Sequence, residues 1–377
     1  MVSNPAAEQV AHVHQNEEVH SVQWKPLMSL TLLYASVIIG WIAYYNYQPK
    51  LLDKYNFKDL TLFLFIVQGI IMVITPMIAG RIGDRYRERQ GKRLPLISAG
   101  ISFAAMIFMS TAFTLFMDPG DVFRWILPVL ITLWLFSMAL FTSPAISTIE
   151  LFVPLDKLPT AMAMLTIVYG LIYSIEPVIV DIIDYIGAPL TFVVGGVAVG
   201  LSGLLMHNNT KIVADKPKKT ELAKSDFTYS LFLGIGFGII TTILFNMFPA
   251  WFADKGYTPF DLSGDAIVSI ILALVAVISL PLSKFAESRS IYLAILLSIL
   301  ATFALVAGIF FAEGTVLITI LLVLFAFMYS LMSVTFLPLA LSVVKDKQKV
   351  FGVGVFFAGF ELPNGILEAV LVALGKF

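Results

Sequence analysis

The chain has no cysteine, which excludes disulfides, thiolate metal sites and thiol redox motifs. Histidine is almost as scarce. The four are His12, His14, His20 and His207, in a polar N-terminal stretch and a polar interior segment. A Ser/His/Asp set therefore has no histidine to draw on within the apolar body. A Gly-rich phosphate loop with its lysine and any metal-ligand spacing are also missing. Enzymes and P-loop ATPases are excluded on this ground, no cofactor is implied, and any uphill movement of a solute must draw on an ion gradient. Charge is sparse too, at 13% of residues with a net charge of −1, and without a basic domain there is no footprint for a nucleic-acid partner. The first residues lack the basic start of a signal peptide.

Apolar residues dominate instead. They make up 59% of 377 residues, with a mean hydropathy of +0.91. Runs of about 20 apolar residues read as membrane spans, and they recur at 26–48, 60–80, 94–117, 123–147, 159–180, 188–206, 228–251, 264–283, 290–312, 314–341 and 350–375. The fold expected is an all-α polytopic membrane protein with eleven spans in two pseudo-symmetric bundles of six and five helices. Its parts are a disordered cytoplasmic tail over 1–25, an N-terminal bundle over 26–206, a Lys-rich cytoplasmic linker over 207–227 and a C-terminal bundle over 228–377. With the N-terminus cytoplasmic, 18 of the 24 Lys and Arg fall on the inner side, which fixes that orientation. The setting expected is the inner or plasma membrane, with the lipid bilayer as partner and the protein a monomer.

The halves repeat one another. Asn46-Tyr-Gln-Pro49 near the end of the first span is matched by Asn246-Met-Phe-Pro249 near the end of the seventh. Pro144 in the fourth span is matched by Pro338 in the tenth. Repeats on this scale mark transporters built from two bundles that rock about a central site.

Between the second and third runs lies Gly80-Arg-Ile-Gly-Asp-Arg-Tyr-Arg-Glu-Arg-Gln-Gly-Lys-Arg-Leu-Pro95, with six cations against Asp84 and Glu88. The order Gly-x-x-x-Asp-Arg, then Gly-Lys-Arg-x-Pro, resembles the loop between helices 2 and 3 of the major facilitator superfamily. The extended spacing is similar to the branch of sucrose carriers and glycoside–pentoside–hexuronide symporters. That resemblance implies alternating access, and twelve helices where eleven runs are found, so helix 12 is expected to be absent. It also implies a cytoplasmic gate. Gly80 and Asp84 would face the start of span eleven near Val350–Gly352, where the helix dipole favours an anion, and Arg85 or Arg93 would pair with Glu150. The chain departs from the sugar branch after Pro144, where that branch has an arginine and an aspartate and this sequence has only Glu150.

Ionisable groups within apolar runs are functional candidates because burying a charge is costly. Glu361 lies 11 residues into the last run, ~16 Å deep at ~1.5 Å per residue, and is followed by Pro363, Asn364 and Gly365. Proline and glycine there are expected to interrupt the helix and free carbonyls for a solute or ion. A carboxyl in apolar surroundings holds a proton more readily, which suits proton coupling. Glu176, followed by Pro177, is the second such acid, and Glu368 lies nearer the outer surface. Tyr169 and Tyr173 are spaced to share a helix face with Glu176, and Trp41, Asn46 and Asn246 stand at matching depths. Tyr44, Tyr45 and Tyr47 read either as interface anchors or as part of the same wall. The function expected is a secondary carrier of a small organic solute, first a sugar or glycoside, coupled to protons. The alternatives are an exporter or antiporter of amphipathic compounds, or a non-transporting membrane sensor or assembly factor of the same fold.

Overall fold

In lipid every backbone polar group must find its partner within the chain, so long apolar runs become helices. The computed structural model describes residues 21–57, 60–117, 120, 125–211, 213, 215, 224–255, 258–288 and 291–374. Among them there is no strand, and eleven helices are long and apolar enough to cross a membrane. The first half comprises α1 (Trp24–Lys54), α2 (Thr61–Gln90), α3 (Leu94–Phe116), α4 (Ile126–Phe152), α5 (Leu158–Ser174), a short α6 (Glu176–Ile186) and α7 (Ala188–Thr210). The second comprises α8 (Phe227–Asp254), α9 (Gly264–Ser288), α10 (Ile291–Phe311), α11 (Thr315–Ser342) and α12 (Lys349–Ala373).

Several boundaries differ from the sequence-based expectation, each for a local reason. The run expected as a single span over 159–180 is broken at Ile175, and Glu176 opens α6 rather than lying deep within a span. Pro177 has no N–H to offer the Tyr173 carbonyl, which ends α5 there. By contrast α12 continues through Pro363 without a break, so the interruption expected beside Glu361 does not occur. The basic segment after Gly80 is not a loop. α2 stays helical to Gln90 and ends at Gly91, whose φ of 69° is the left-handed conformation that stops a helix. His207 belongs to α7 and its ring nitrogen bonds the Ser98 hydroxyl at 2.8 Å. The tail to residue 20, with His12, His14 and His20, and linker positions 212, 214 and 216–223 lie outside the described residues.

Two seams join the halves, α2 against α12 and α5 against α9. The first brings backbones together. A Cβ added at Gly80 would lie 2.6 Å from the Val350 carbonyl oxygen, and one at Gly354 would collide with the Pro76 carbonyl. Small residues at such crossings let helices approach closely. Elsewhere large apolar side chains such as Ile70, Phe113 and Leu300 stay exposed on the outer surface of the bundle, as lipid-facing positions require.

Candidate functional site

The seams leave a cavity of about 590 Å³ between the halves. It reaches from Glu176 and Asp265, at helix ends remote from the Arg-rich end of α2, down to Pro76, Ser143 and Gly238. Its mouth is at the first of these ends, where Asp265 is exposed. Trp41, Tyr169, Tyr173, Glu176, Asn246, Glu361 and Asn364 all line it. The Tyr169 and Tyr173 rings meet at 4.8 Å, and both stand against Phe245, at 6.2 and 5.1 Å. Phe245 and Asn246 sit on a π-helical turn, Ile243–Met247, within α8. Pro249 cannot donate to the Phe245 carbonyl, and widened turns of this kind occur often at functional sites.

Glu361 is half-buried in the wall and has no hydrogen-bond partner among the described residues. Glu368, one side of a polar chain the sequence did not single out, is tied on both oxygens. Tyr44 Oη donates to Gln68 Oε1 (2.7 Å), Gln68 Nε2 to Glu368 Oε2 (2.9 Å), Asn364 Nδ2 to Glu368 Oε1 (2.8 Å), and Asn246 Nδ2 to Asn364 Oδ1 (3.1 Å). The chain crosses from the first half to the second at Gln68. Tyr44 and Tyr47 are buried, not interface anchors. Tyr44 stacks on Trp134 at 4.8 Å, and Tyr45 lines the cavity.

Asn46 is not in the cavity. Its Nδ2 donates to Asp184 Oδ1 (2.8 Å), beside the Lys50–Asp184 ion pair at 2.8 Å, so the two Asn-x-x-Pro units do different things. Lys50, then Asn46, hold the Asp184 carboxyl below its ordinary value.

At the opposite end from the mouth the halves meet through charge. Val350 and Phe351 N–H donate to Asp84 Oδ1 and Oδ2, at 3.1 and 2.9 Å, at the start of α12. Arg93 Nη2 pairs with Glu150 at 2.8 Å and Asp215 at 2.9 Å. Burial works against the Arg93 charge, but Glu150 and Asp215 outweigh it and raise the value above the ordinary one. Arg85 is exposed, with no ion-pair partner among the described residues. The arginine turned inward is Arg87, only 2% exposed, which contacts Asp215 (2.8 Å) and Asp346 (3.4 Å). Lys349 completes the network, at 3.0 Å from Glu150 and 3.5 Å from Asp346. Three cations thus face three carboxylates drawn from both halves and the linker.

The other seam carries a matching device that sequence reasoning missed. Glu287 Oε1 accepts from Thr160 N–H (3.2 Å) at the start of α5, and Lys157 Nζ lies 2.8 Å from Glu287 Oε2. A signal for it was present. Gly80-Arg-Ile-Gly-Asp84 and Ser283-Lys-Phe-Ala-Glu287 share the order small, basic, apolar, small, acidic. In each half, then, an acid near a helix end accepts backbone N–H at the start of a helix across a seam, two from Val350 and Phe351 at Asp84 and one from Thr160 at Glu287, and the end opposite the mouth is closed.

Comparison with known proteins places this architecture. Its fold is similar to that of a bacterial homologue of the iron transporter ferroportin, outward-facing with soaked iron, with 16% identity over 93% of this chain and 92% of that one and a TM-score of 0.66. A second structure of a bacterial ferroportin homologue, also outward-facing, gives 15%, 93%, 92% and 0.62. The human organic anion transporter MFSD10 (TETRAN) gives 12%, 93%, 94% and 0.62. At these identities the likeness concerns the fold alone. No curated protein matches the sequence. The family model of the Major Facilitator Superfamily matches residues 112–366, more than half of the chain, and the protein belongs to that family of non-enzymatic membrane transporters.

Proposed function

We propose that the protein is a secondary carrier that moves a small organic solute by alternating access, with the proton as coupling ion and Glu361 as the group that takes it up. The observation that carries this is the cavity itself, lying between two halves that are closed at one end only, with an unpartnered carboxyl in its wall. Glu361 shares α12 with Val350 and Phe351, whose N–H groups Asp84 holds. Protonation at Glu361 and closure at the charged end therefore act on one rigid element, as coupling requires.

The walls favour an amphipathic compound over a sugar. A polyol needs several free donors and acceptors, because a site specific for hydroxyls works by pairing them. Here the two wall amides bond one another, and Asn364 also holds Glu368, while aromatic rings fill much of the rest. Iron is disfavoured, since among the described residues no three His, Cys, Asp or Glu side chains gather to hold a metal. Organic anions are disfavoured because, among the described residues, the charged side chains lining the cavity are all acidic.

The test is proton movement in proteoliposomes loaded with a pH-sensitive dye. Amphipathic dyes should dissipate an imposed pH gradient through the protein, sucrose should not, and Glu361→Gln should abolish the response while still exchanging dye across the membrane. Absence of a proton signal with both solute classes overturns proton coupling, and a signal with sucrose alone restores the sugar.

A further inference from the structure

Resting on the carrier function just proposed, we infer that the cavity takes an amphipathic organic cation, and that Glu361 serves as the counter-charge which the cation and a proton occupy in turn. Among the described residues four carboxyl side chains line the cavity (Glu176, Asp265, Glu361 and Glu368), and no Lys, Arg or His does. Glu368 already accepts from Gln68 and Asn364, whereas Glu361 accepts from nothing among the described residues. An ionised carboxylate in a low-dielectric wall is unstable alone and must be neutralised by a proton or paired with a cation. Electroneutrality at this one group thus makes proton and cation mutually exclusive.

Among the described residues the titratable groups facing Glu361 supply no competing cation. They are Tyr34 and Tyr45 from α1, Tyr173 from α5 and Glu368 from α12 itself. The α2 and α8 walls present Met72, Pro76, Phe245 and Asn246, none of which titrates. Three of the facing groups are aromatic rings, whose π faces attract a cation placed within about 6 Å. An independent observation at the floor also points to a ligand. Ser143 is 2% exposed, lines the cavity and has a hydroxyl without a hydrogen-bond partner. A buried hydroxyl left unpaired carries a desolvation penalty, which a polar head group would relieve once rotation about the Ser143 side chain turns the hydroxyl into the cavity.

The step balances simply. The protonated Glu361 carboxyl releases its proton to the aqueous mouth, the carboxylate pairs with the entering cation, and the reverse follows when the cation leaves. No net charge is gained at the site in either form.

The test uses full-length protein in lipid nanodiscs, with empty nanodiscs subtracted. The probes are tetraphenylphosphonium and tetraphenylborate, which share one apolar shell and differ in the sign of charge. Expected are saturable phosphonium binding, proton release on binding in weak buffer, and affinity that falls at least about tenfold in Glu361→Gln, within the reach of one charge pair. Affinity should also fall as the pH is lowered, because protons compete for the same carboxyl. Equal saturable binding of the borate overturns the inference, as does phosphonium binding indifferent to pH and to Glu361→Gln. Should that variant not fold, the two probes and the pH series on the unaltered protein decide. The chain lacks cysteine, so spin labels at Arg85→Cys and Lys347→Cys, exposed positions of the charged face, report opening in the same nanodiscs. Label distances that respond to pH while neither probe binds would retire the cation and keep the carrier. Distances that do not respond, with no probe bound, would retire both.

Discussion

Gly354 shows how much of the closed state depends on a missing atom. Its α carbon lies against the Pro76 carbonyl, where a Cβ cannot be placed, and Gly80 is confined in the same way by Val350. Overpacking a tight contact costs about 1–3 kcal/mol, which corresponds to roughly a 5- to 150-fold change in a conformational equilibrium. Gly354→Ala is therefore expected to push the charged ends apart, seen as a longer distance between labels at positions 85 and 347. Gly236→Ala, where an added Cβ meets nothing within 4 Å, should leave that distance unchanged. Equal distances in both variants would mean that the α2–α12 seam does not set the closed state. At this scale the acids were the legible part of the sequence, because a carboxyl in an apolar run is conspicuous. Asn46 was not, because an amide fits an interfacial cluster as well as a cavity, and only its contact with Asp184 decides.

At the scale of elements, closure is a matter of two helix starts held across two seams. Asp84 holds the first N–H groups of α12, and Glu287 holds Thr160 at the start of α5. A carboxylate at a helix N-terminus is worth about 0.3–1 kcal/mol, and up to ~2 where partly buried. Asp84→Asn and Glu287→Gln keep the shape and remove the charge. Each should lengthen the distance between the labels without unfolding the protein, and the double variant should exceed either alone. A response to Asp84→Asn with none to Glu287→Gln would leave the α5–α9 seam out of the closing motion. The eleven spanning elements were readable because their apolar runs are long. The break that creates α6 was not, since apolar residues flank it on both sides and only Pro177 marks it. Nor was the choice of arginine. Once α2 is seen to be helical to Gln90, Gly80, Gly83, Asp84 and Arg87 fall on one face at spacings of three and four. Arg85 then points outward, which a segment taken for a loop does not reveal.

For the whole molecule, charge predicts which end faces the cytoplasm. By the order of the spans, 18 of the 24 Lys and Arg fall on the N-terminal side of the membrane, and basic segments are retained on the cytoplasmic side. The closed network of Arg87, Arg93 and Lys349 should then lie inside, with the mouth between Glu176 and Asp265 open to the outside. Two exposed positions separate the orientations. Arg85 lies on the charged face, and Tyr185, which is 92% exposed, lies on α6 at the mouth end. With no cysteine of its own, the protein can carry one reporter at a time. In intact cells a membrane-impermeant maleimide should modify Tyr185→Cys, and should reach Arg85→Cys only after lysis. The opposite pattern would put the mouth in the cytoplasm. Because alternating access presents the same carboxyl to each side in turn, an inward gradient of protons drives the cation outward. With the mouth outside, protons enter Glu361 from the exterior and the cation leaves toward it, so acidifying the outside should speed efflux of tetraphenylphosphonium from loaded cells.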